Sequence, residues 1–308
     1  MNAPIPEFLR STQIFNDYMT PEAIGLVEAA KAMAPRLAER AFEAENKGMV
    51  PAETVREMAA AGLFKVLQPK RWGGYEMDPR VFYRIQMALA EGCMATAWIY
   101  GVIGVHNWQL PLFPEQAQQD VWAQDPTTLI ASTYMPVGKA EKVDGGYRFS
   151  GRWSWSSGVE HCEWIFLGGL LPKKDGSGQL EHCTFLLPKK DYQVVHNFDV
   201  LGLRATASHD IVVEGAFVPE HRTHRTNDHS EAGCLGRATN PGWLYKIPFT
   251  QVFQRAVSTA CIGALDGAVG HFRKRAAAHV GKHGSKTAED PNAQLAVAEA
   301  MMASDQLK

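Results

Sequence analysis

Several short motifs that mark common chemistries are missing from this chain of 308 residues. The 5 cysteines are odd in number and form no Cys-x-x-Cys pair, so neither a disulfide framework nor a zinc site is indicated, and no metal is expected. No GxSxG, HExxH, P-loop or GxGxxG sequence occurs. The sequence therefore indicates no nucleophile for a hydrolytic reaction. Its few, unpaired cysteines favour a reducing compartment.

Long apolar runs and an excess of basic charge are also missing. No stretch reaches the roughly 18 consecutive apolar residues of a membrane span, and the first residues lack an apolar segment behind a basic start. The 31 Lys and Arg residues and 33 Asp and Glu residues give a net charge of -2. We therefore expect a cytoplasmic protein that binds neither nucleic acid nor membrane and whose main partner is a small molecule.

The hydrophobic pattern predicts an α+β fold of three parts. Helical periodicity dominates residues 1–124, with Thr20 as the N-cap and Pro21 as the first residue of the first helix. Short β-rich runs separated by Gly, Pro and Asp fill residues 125–235, which we expect to form a β-barrel. Residues 236–308 are helical again and read as the start of a bundle, and the last helical pattern reaches Lys308 without a terminator. We therefore expect a truncated chain.

The stretch "WSWSSGVEHCEW" is the most unusual segment of the β-rich part. On a regular strand Trp153, Trp155 and Ser157 would share one face, while Ser154 and Ser156 would share the other. Indoles and hydroxyls side by side suit a planar heteroaromatic molecule with polar edges. Cross-strand aromatic packing explains the same residues, so spacing alone leaves both readings open.

Two other segments carry candidate site residues, each with a plain structural alternative. His106 ends an apolar helix just before the β-rich part, where a cleft between domains is expected, although such a histidine is more often a hydrogen-bonded core residue. The apolar run "LIASTYMP" turns polar at Ser132 and Thr133, whose hydroxyls commonly satisfy the turn at the end of a strand.

Basic residues give candidates for binding a phosphate or carboxylate. Arg204 follows Gly202 and precedes Thr206 and Ser208, although a loop arginine is usually just solvated. A second group of basic residues lies near the C-terminal end, where it could form either a solvated helix face or a binding site for a cofactor phosphate. Its members are Arg273, Lys274, Arg275, His279, Lys282, His283 and Lys286. We select Arg204 and Lys282 as cofactor-binding candidates.

Longer motifs resemble a known family. The order of helices, β domain and helices, with "LQPKRWGG" and "LGLRATASHDIVVEGAFVPEHR", resembles the acyl-CoA dehydrogenase superfamily. The Thr-Glu-Pro and Gly-Ser-Asp signature of its dehydrogenases is replaced by "ASTYMPVGKAEKV". That segment, "GVHNWQLPLF", "WSWSSGVEHCEW" and "YKIPF" are similar to the oxygenase components of two-component flavin-dependent aromatic monooxygenases, most of all to members that act on a steroid-derived phenol.

The resemblance implies a flavin site. Reduced FMN or FAD, delivered by a separate NAD(P)H:flavin reductase, would react with O2 to give a C4a-hydroperoxyflavin that ortho-hydroxylates a phenol. Ser157 would lie near flavin N5 and help to hold that species. The other residues that would face the flavin are Trp98, Ser132, Thr133, Trp155 and Ser156.

The resemblance also assigns the substrate side and the assembly. His106 and Ser132 would approach the phenol oxygen, where a histidine with an ordinary pKa of about 6.5 can accept a proton. The catalytic set is then His106, Ser132 and Ser157, in a homotetramer.

Two departures from the family pattern affect the expected function. A second active-site histidine lies beyond the point in the family that matches Lys308. The arginine that binds a substrate carboxylate in arylacetate hydroxylases has no counterpart before Arg255, which favours an uncharged or bulky phenol. Oxygenation of a sulfur, nitrogen or indole centre, or a non-catalytic truncated remnant that binds flavin weakly or not at all, remain as alternatives.

Overall fold

Helices flank a central sheet in the computed structural model, which describes residues 17–225, 234–281 and 285–308. The N-terminal helices are α1 (Pro21–Lys47), α2 (Ala52–Ala60), α3 (Pro79–Gly92), α4 (Met94–Gly104), α5 (His106–Gln109) and α6 (Glu115–Trp122). Thr20 caps α1 by accepting a hydrogen bond from the Ala23 amide at 3.2 Å, and Gly48 ends it with φ of 68°. The predicted start of the first helix is confirmed.

Seven strands form the central sheet. They are β1 (Ile130–Val143), β2 (Gly146–Ser156), β3 (Trp164–Pro172), β4 (Leu180–Pro188), β5 (Gln193–Val195), β6 (His209–Pro219) and β7 (Thr223–Arg225). Their order across the sheet is β5-β6-β2-β1-β3-β4-β7. Neighbouring strands are antiparallel except β1 and β3, which run parallel.

The sheet folds back on itself without closing. The pairing of β1 with β3 breaks between Thr133 and Gly138, which lets one end of β1 diverge. The rings of Phe149 on β2 and Phe185 on β4 stack at 4.1 Å across the enclosed core. Among the described residues the end strands β5 and β7 do not pair with each other, so the expected barrel is a partly open one.

Two long helices complete the described chain: α7 (Phe249–Ala278) and α8 (Pro291–Leu307). Buried polar side chains of α3 hold α7 in place, since Tyr83 donates to the Val252 carbonyl at 3.0 Å. The Gln86 amide donates to the carbonyls of Ala97 on α4 and Ala256 on α7, at 3.1 and 2.7 Å. A single buried amide therefore fixes α4 and α7 relative to each other.

The division into domains follows these elements. We propose boundaries at 124/125 and 235/236, because helices dominate before the first and after the second, and strands dominate between them. None of the helices in the described ranges is long and apolar enough to cross a bilayer. All five cysteines are free thiols in the structure.

The aromatic core between β2 and β4 gives a stability prediction. Phe149 is fully buried, so Phe149→Ala leaves a cavity and should lower the free energy of unfolding by about 3–5 kcal/mol. Phe217→Ala on β6, where the ring is 53% exposed, is the control and should cost less than about 1 kcal/mol. Urea unfolding followed by tryptophan fluorescence measures both. Equal losses in the two variants would contradict this account of the core.

Candidate functional site

A cavity of about 300 Å³ lies where helices α4 and α7 meet strands β1 and β2. This volume is at the lower end of the range typical of small-molecule pockets. Its lining residues are Trp98, Val102, Ser132, Thr133, Tyr134, Met135, Ser154, Trp155, Ser157, Phe253 and Val257. Five of the residues predicted to face a flavin are thus brought together, although Trp98 and Ser157 are 59 positions apart in the sequence.

The end of β2 is irregular, and this changes the predicted orientation of its tryptophans. Trp155 has φ of 66°, and the pairing of β2 with β6 shifts between Trp153 and Ser156. Trp153 is fully buried and donates to the carbonyls of Met135 and Gly168, whereas Trp155 is 70% exposed at the cavity. The expectation that both indoles share one face is therefore wrong, because the bulge breaks the strand's alternation.

Ser157 lies at the turn that follows this bulge. Its hydroxyl lines the cavity and accepts a hydrogen bond from the Trp98 indole at 3.0 Å. Gly158 follows with φ of 68°, a backbone conformation that favours glycine over any residue with a side chain. Ser156, by contrast, is fully buried outside the cavity lining, and its hydroxyl has no protein partner.

Ser132 and Thr133 reach the cavity from β1. The Thr133 hydroxyl donates to the Ser154 carbonyl at 2.9 Å, which ties β1 to β2 at the cavity wall. The Tyr134 hydroxyl, on the next residue of β1, donates to the Gln109 side-chain oxygen. Burial raises the pKa of the Tyr134 phenol, which therefore stays protonated at neutral pH.

His106 is fully buried behind the cavity wall. Its Nδ1 lies 2.5 Å from the Ile130 carbonyl, so Nδ1 carries the proton and Nε2 presents a lone pair with no partner. The rings of Tyr134 and Phe253, which line the cavity, lie 6.2 and 6.4 Å from the imidazole. Burial lowers the pKa of His106 to about 4, so the ordinary pKa of 6.5 assumed from the sequence does not apply.

Of the two basic candidates, the structure describes only Arg204, which lies apart from this cavity. Arg204 is 45% exposed, lies 3.6 Å from Asp199 and is not among the lining residues. Lys282 falls outside the described residues. The structure does not bring the Arg204 side chain to the cavity.

Several lining residues were missed by the sequence analysis. Val102 of α4 and the pair Phe253 and Val257 of α7 supply the apolar part of the wall, with Tyr134 and Met135 of β1 beside them. The spacing of Phe253 and Val257 by four residues is a sequence signal for a shared helix face. That signal cannot say which surface the face meets, because α7 is placed by Gln86 and Tyr83 of α3.

The cavity residues fit a flat heteroaromatic ring. The exposed Trp155 indole and the Phe253 ring offer apolar surface, while the hydroxyls of Ser132 and Ser157 offer polar contacts near it. None of the residues lining this cavity carries a charge, and the described chain contains no group of three metal-binding side chains. An isoalloxazine ring, apolar on its faces and polar at its edges, suits these residues.

Comparisons with known proteins identify the family. The acyl-CoA dehydrogenase, N-terminal domain family matches residues 20–127. The oxygenase subunit HsaA of a flavin-dependent monooxygenase from Rhodococcus jostii (strain RHA1) is 40% identical over 273 residues, which are 87% of this chain and 70% of that protein. The oxygenase component of an FADH(2)-dependent resorcinol hydroxylase from Rhizobium sp. (strain MTP-10005) is 30% identical, over 93% of this chain and 71% of that protein.

A solved structure agrees in fold. The crystal structure of the HsaA monooxygenase from M. tuberculosis superposes with a TM-score of 0.84 at 36% identity, covering 92% of this chain and 72% of that one. The mixed helical and sheet architecture and the resemblance predicted from the motifs are confirmed. The chain belongs to the family of flavin-dependent monooxygenase oxygenase components, built on the acyl-CoA dehydrogenase fold.

Proposed function

We propose that this chain binds reduced FMN or FAD in the cavity beside Trp155 and hydroxylates a phenol ortho to its hydroxyl group, with O2 as co-substrate. The observation that carries the proposal is the convergence of Trp98, Ser132, Trp155 and Ser157 on one cavity from three separate elements. When bound, the reduced flavin supplies the electrons that activate O2 for transfer of one oxygen atom.

The residues of the chain would hold and shield the flavin. Trp155 and Phe253 would supply apolar contact area, and Ser157 would supply a hydrogen bond at the polar edge of the ring. Ser132 and Thr133 form the neighbouring wall, and Val102 and Val257 help to exclude water. Ser156 and Arg204 lie outside this cavity, so their proposed cofactor contacts require a part of the flavin that extends beyond it.

His106 and Ser132 would orient the phenol. A phenol has a pKa near 10, so full transfer of its proton to an imidazole with a pKa of about 4 costs roughly 8 kcal/mol. His106 is therefore better suited to accept a hydrogen bond at Nε2 than to remove the proton. Such a contact requires the phenol to pass Tyr134 and Phe253, which separate the imidazole from the cavity.

The substrate class follows from the uncharged cavity. Because the cavity lining carries no cation, we propose an uncharged or bulky phenol, such as a steroid-derived one, rather than a carboxylate. Relatives in this family include a resorcinol hydroxylase component and, at 28% identity, the p-hydroxyphenylacetate 3-hydroxylase oxygenase component of Acinetobacter baumannii. A phenolic ring is the feature that these two substrates share.

The proposal includes partners and a compartment. A separate NAD(P)H:flavin reductase would supply the reduced flavin, as the term oxygenase component implies for the relatives. We propose a homotetramer in the cytoplasm, on the basis of the family resemblance for the assembly and of the five free thiols for a reducing compartment.

The decisive experiment supplies reduced FMN or FAD anaerobically, adds a phenol and then admits O2. Mass spectrometry should detect a product heavier by one oxygen, with the label incorporated from 18O2. Oxidised flavin and H2O2 without any oxygenated product, across phenols, indoles and sulfur or nitrogen compounds, would count against an oxygenase. Failure to bind either flavin would favour the non-catalytic remnant.

Removing the Ser157 hydroxyl should uncouple the reaction. Ser157→Ala would remove the proposed hydrogen bond to the flavin edge, so we expect reduced flavin to bind about fivefold more weakly and a larger share of O2 to appear as H2O2. The ratio of H2O2 to oxygenated product is the measurement. Ser150→Ala, which removes a hydroxyl bonded to the Gly215 amide elsewhere on β2, is the matched control. An unchanged ratio of H2O2 to oxygenated product in Ser157→Ala would contradict the proposed contact between Ser157 and the flavin.

His106 gives a pH dependence of stability with a defined sign. Its pKa is about 4 when folded and 6.5 when unfolded, so the unfolded chain binds more protons between these pH values. The contribution is fully favourable above pH 6.5 and falls by up to about 3 kcal/mol as the pH drops toward 4. His106→Gln should flatten this part of the stability curve. An NMR titration that places the His106 pKa near 6.5 would contradict the prediction.

A further inference from the structure

Four donor groups form a continuous hydrogen-bonded chain that starts at the cavity. The Trp98 indole donates to Ser157 at 3.0 Å, and the hydroxyls of Ser157 and Ser208 are 2.7 Å apart. The hydroxyls of Ser208 and Thr206 are 2.6 Å apart, and Thr206 donates to the Leu203 carbonyl at 2.9 Å. Ser157, Thr206 and Ser208 are all buried, so water does not compete for these bonds.

The two ends of the chain determine the direction of every bond in it. An indole can only donate and a carbonyl can only accept. The Thr206 hydroxyl donates its only hydrogen to the Leu203 carbonyl, so in its bond with Ser208 it must be the acceptor. The Ser208 hydroxyl therefore donates to Thr206 and must accept from the Ser157 hydroxyl. The hydroxyl hydrogen of Ser157 is therefore donated to Ser208 and is not available to a molecule in the cavity. Ser157 retains one lone pair, so it faces the cavity as an acceptor.

The turn that carries Thr206 and Ser208 is held against the turn that follows β2 and against α1. The Gly158 amide donates to the Thr206 carbonyl at 2.8 Å, and Glu45 of α1 accepts from the Arg204 amide at 2.9 Å. Leu203 and Ala207 have φ of 58° and 46°, a region that non-glycine residues rarely adopt. Such a conformation persists only when its surroundings enforce it, so the two hydroxyls are presented to Ser157 by a fixed backbone.

We infer that Thr206 and Ser208 are positioning residues that make the cavity select two-electron-reduced flavin over oxidised flavin. The inference rests on the proposed function, in which Ser157 contacts the polar edge of the flavin, and on the position near N5 that the family resemblance implies for Ser157. Reduced flavin carries a hydrogen on N5 and can donate to the free lone pair of Ser157. Oxidised flavin has only a lone pair on N5, which would face the lone pair of Ser157 without a hydrogen between them.

The prediction concerns the ratio of two dissociation constants. In Thr206→Val the Ser208 hydroxyl loses its acceptor and can donate to Ser157, whose hydrogen is then free to turn toward N5 of oxidised flavin. In Ser208→Ala the Ser157 hydrogen is released directly. Both variants should lower the ratio of the dissociation constants of oxidised and reduced FMN by roughly fivefold to tenfold. A tenfold change corresponds to about 30 mV in the midpoint potential of the bound flavin.

Equilibrium dialysis under anaerobic conditions, with oxidised and with dithionite-reduced FMN and then FAD, measures the ratio without turnover. Thr206→Ser keeps the hydroxyl at the same position and should keep the wild-type ratio, which makes it the matched control. A merely structural defect would weaken both redox forms together and leave the ratio unchanged.

The outcomes separate this inference from the proposed function. A lowered ratio in Thr206→Val and Ser208→Ala, with the wild-type ratio in Thr206→Ser, supports the inference. A wild-type ratio in folded Ser208→Ala or Thr206→Val, with reduced flavin still bound, overturns it and leaves the proposed function standing. If the wild-type chain binds neither redox form, the proposed function fails and the inference fails with it.

Discussion

The bend of β2 at Trp155 is the feature on which the cavity depends. A tryptophan at φ of 66° costs roughly 1–3 kcal/mol, so fixed neighbours must hold it there. On one side the Trp153 indole is anchored by two buried carbonyls, and on the other Ser156 pairs with His209 of β6. The bend places the Trp155 indole at the cavity and turns Ser157 toward α4. Without it, the strand would continue and neither side chain would reach its position.

The helices complete the site because polar groups inside the helical layer fix their relative positions. Gln86 joins α4 and α7, which carry Trp98 and Phe253 to the cavity. The resulting wall is apolar where α7 contributes, and the hydroxyls of Ser132, Thr133 and Ser157 supply polar groups on the side of β1 and the end of β2. This separation suits a ring that is apolar on its faces and polar at its edges, and it keeps charged groups away from that ring.

Much of the fold could be predicted from local sequence. Thr20, Pro21 and Gly48 mark the limits of α1 through their own backbone preferences, and Gly145, with φ of 71°, forms the β1–β2 turn within the segment "VDGGYRF". These features depend on residues close together in the chain. The incomplete closure of the sheet was not predictable in this way, because it depends on how β5 and β7 end relative to strands far away in sequence.

The sequence by itself determined the family, the α+β class and the set of hydroxyls and indoles from which the cavity is built. Only the tertiary structure decided that Trp153 is core while Trp155 faces the cavity, that burial lowers the pKa of His106 to about 4, and that Thr206 and Ser208 contact Ser157. The physical reason is the same in each case. Burial and hydrogen-bond direction are properties of a residue's neighbours in space, and here those neighbours lie dozens of positions away, 51 between Ser157 and Ser208.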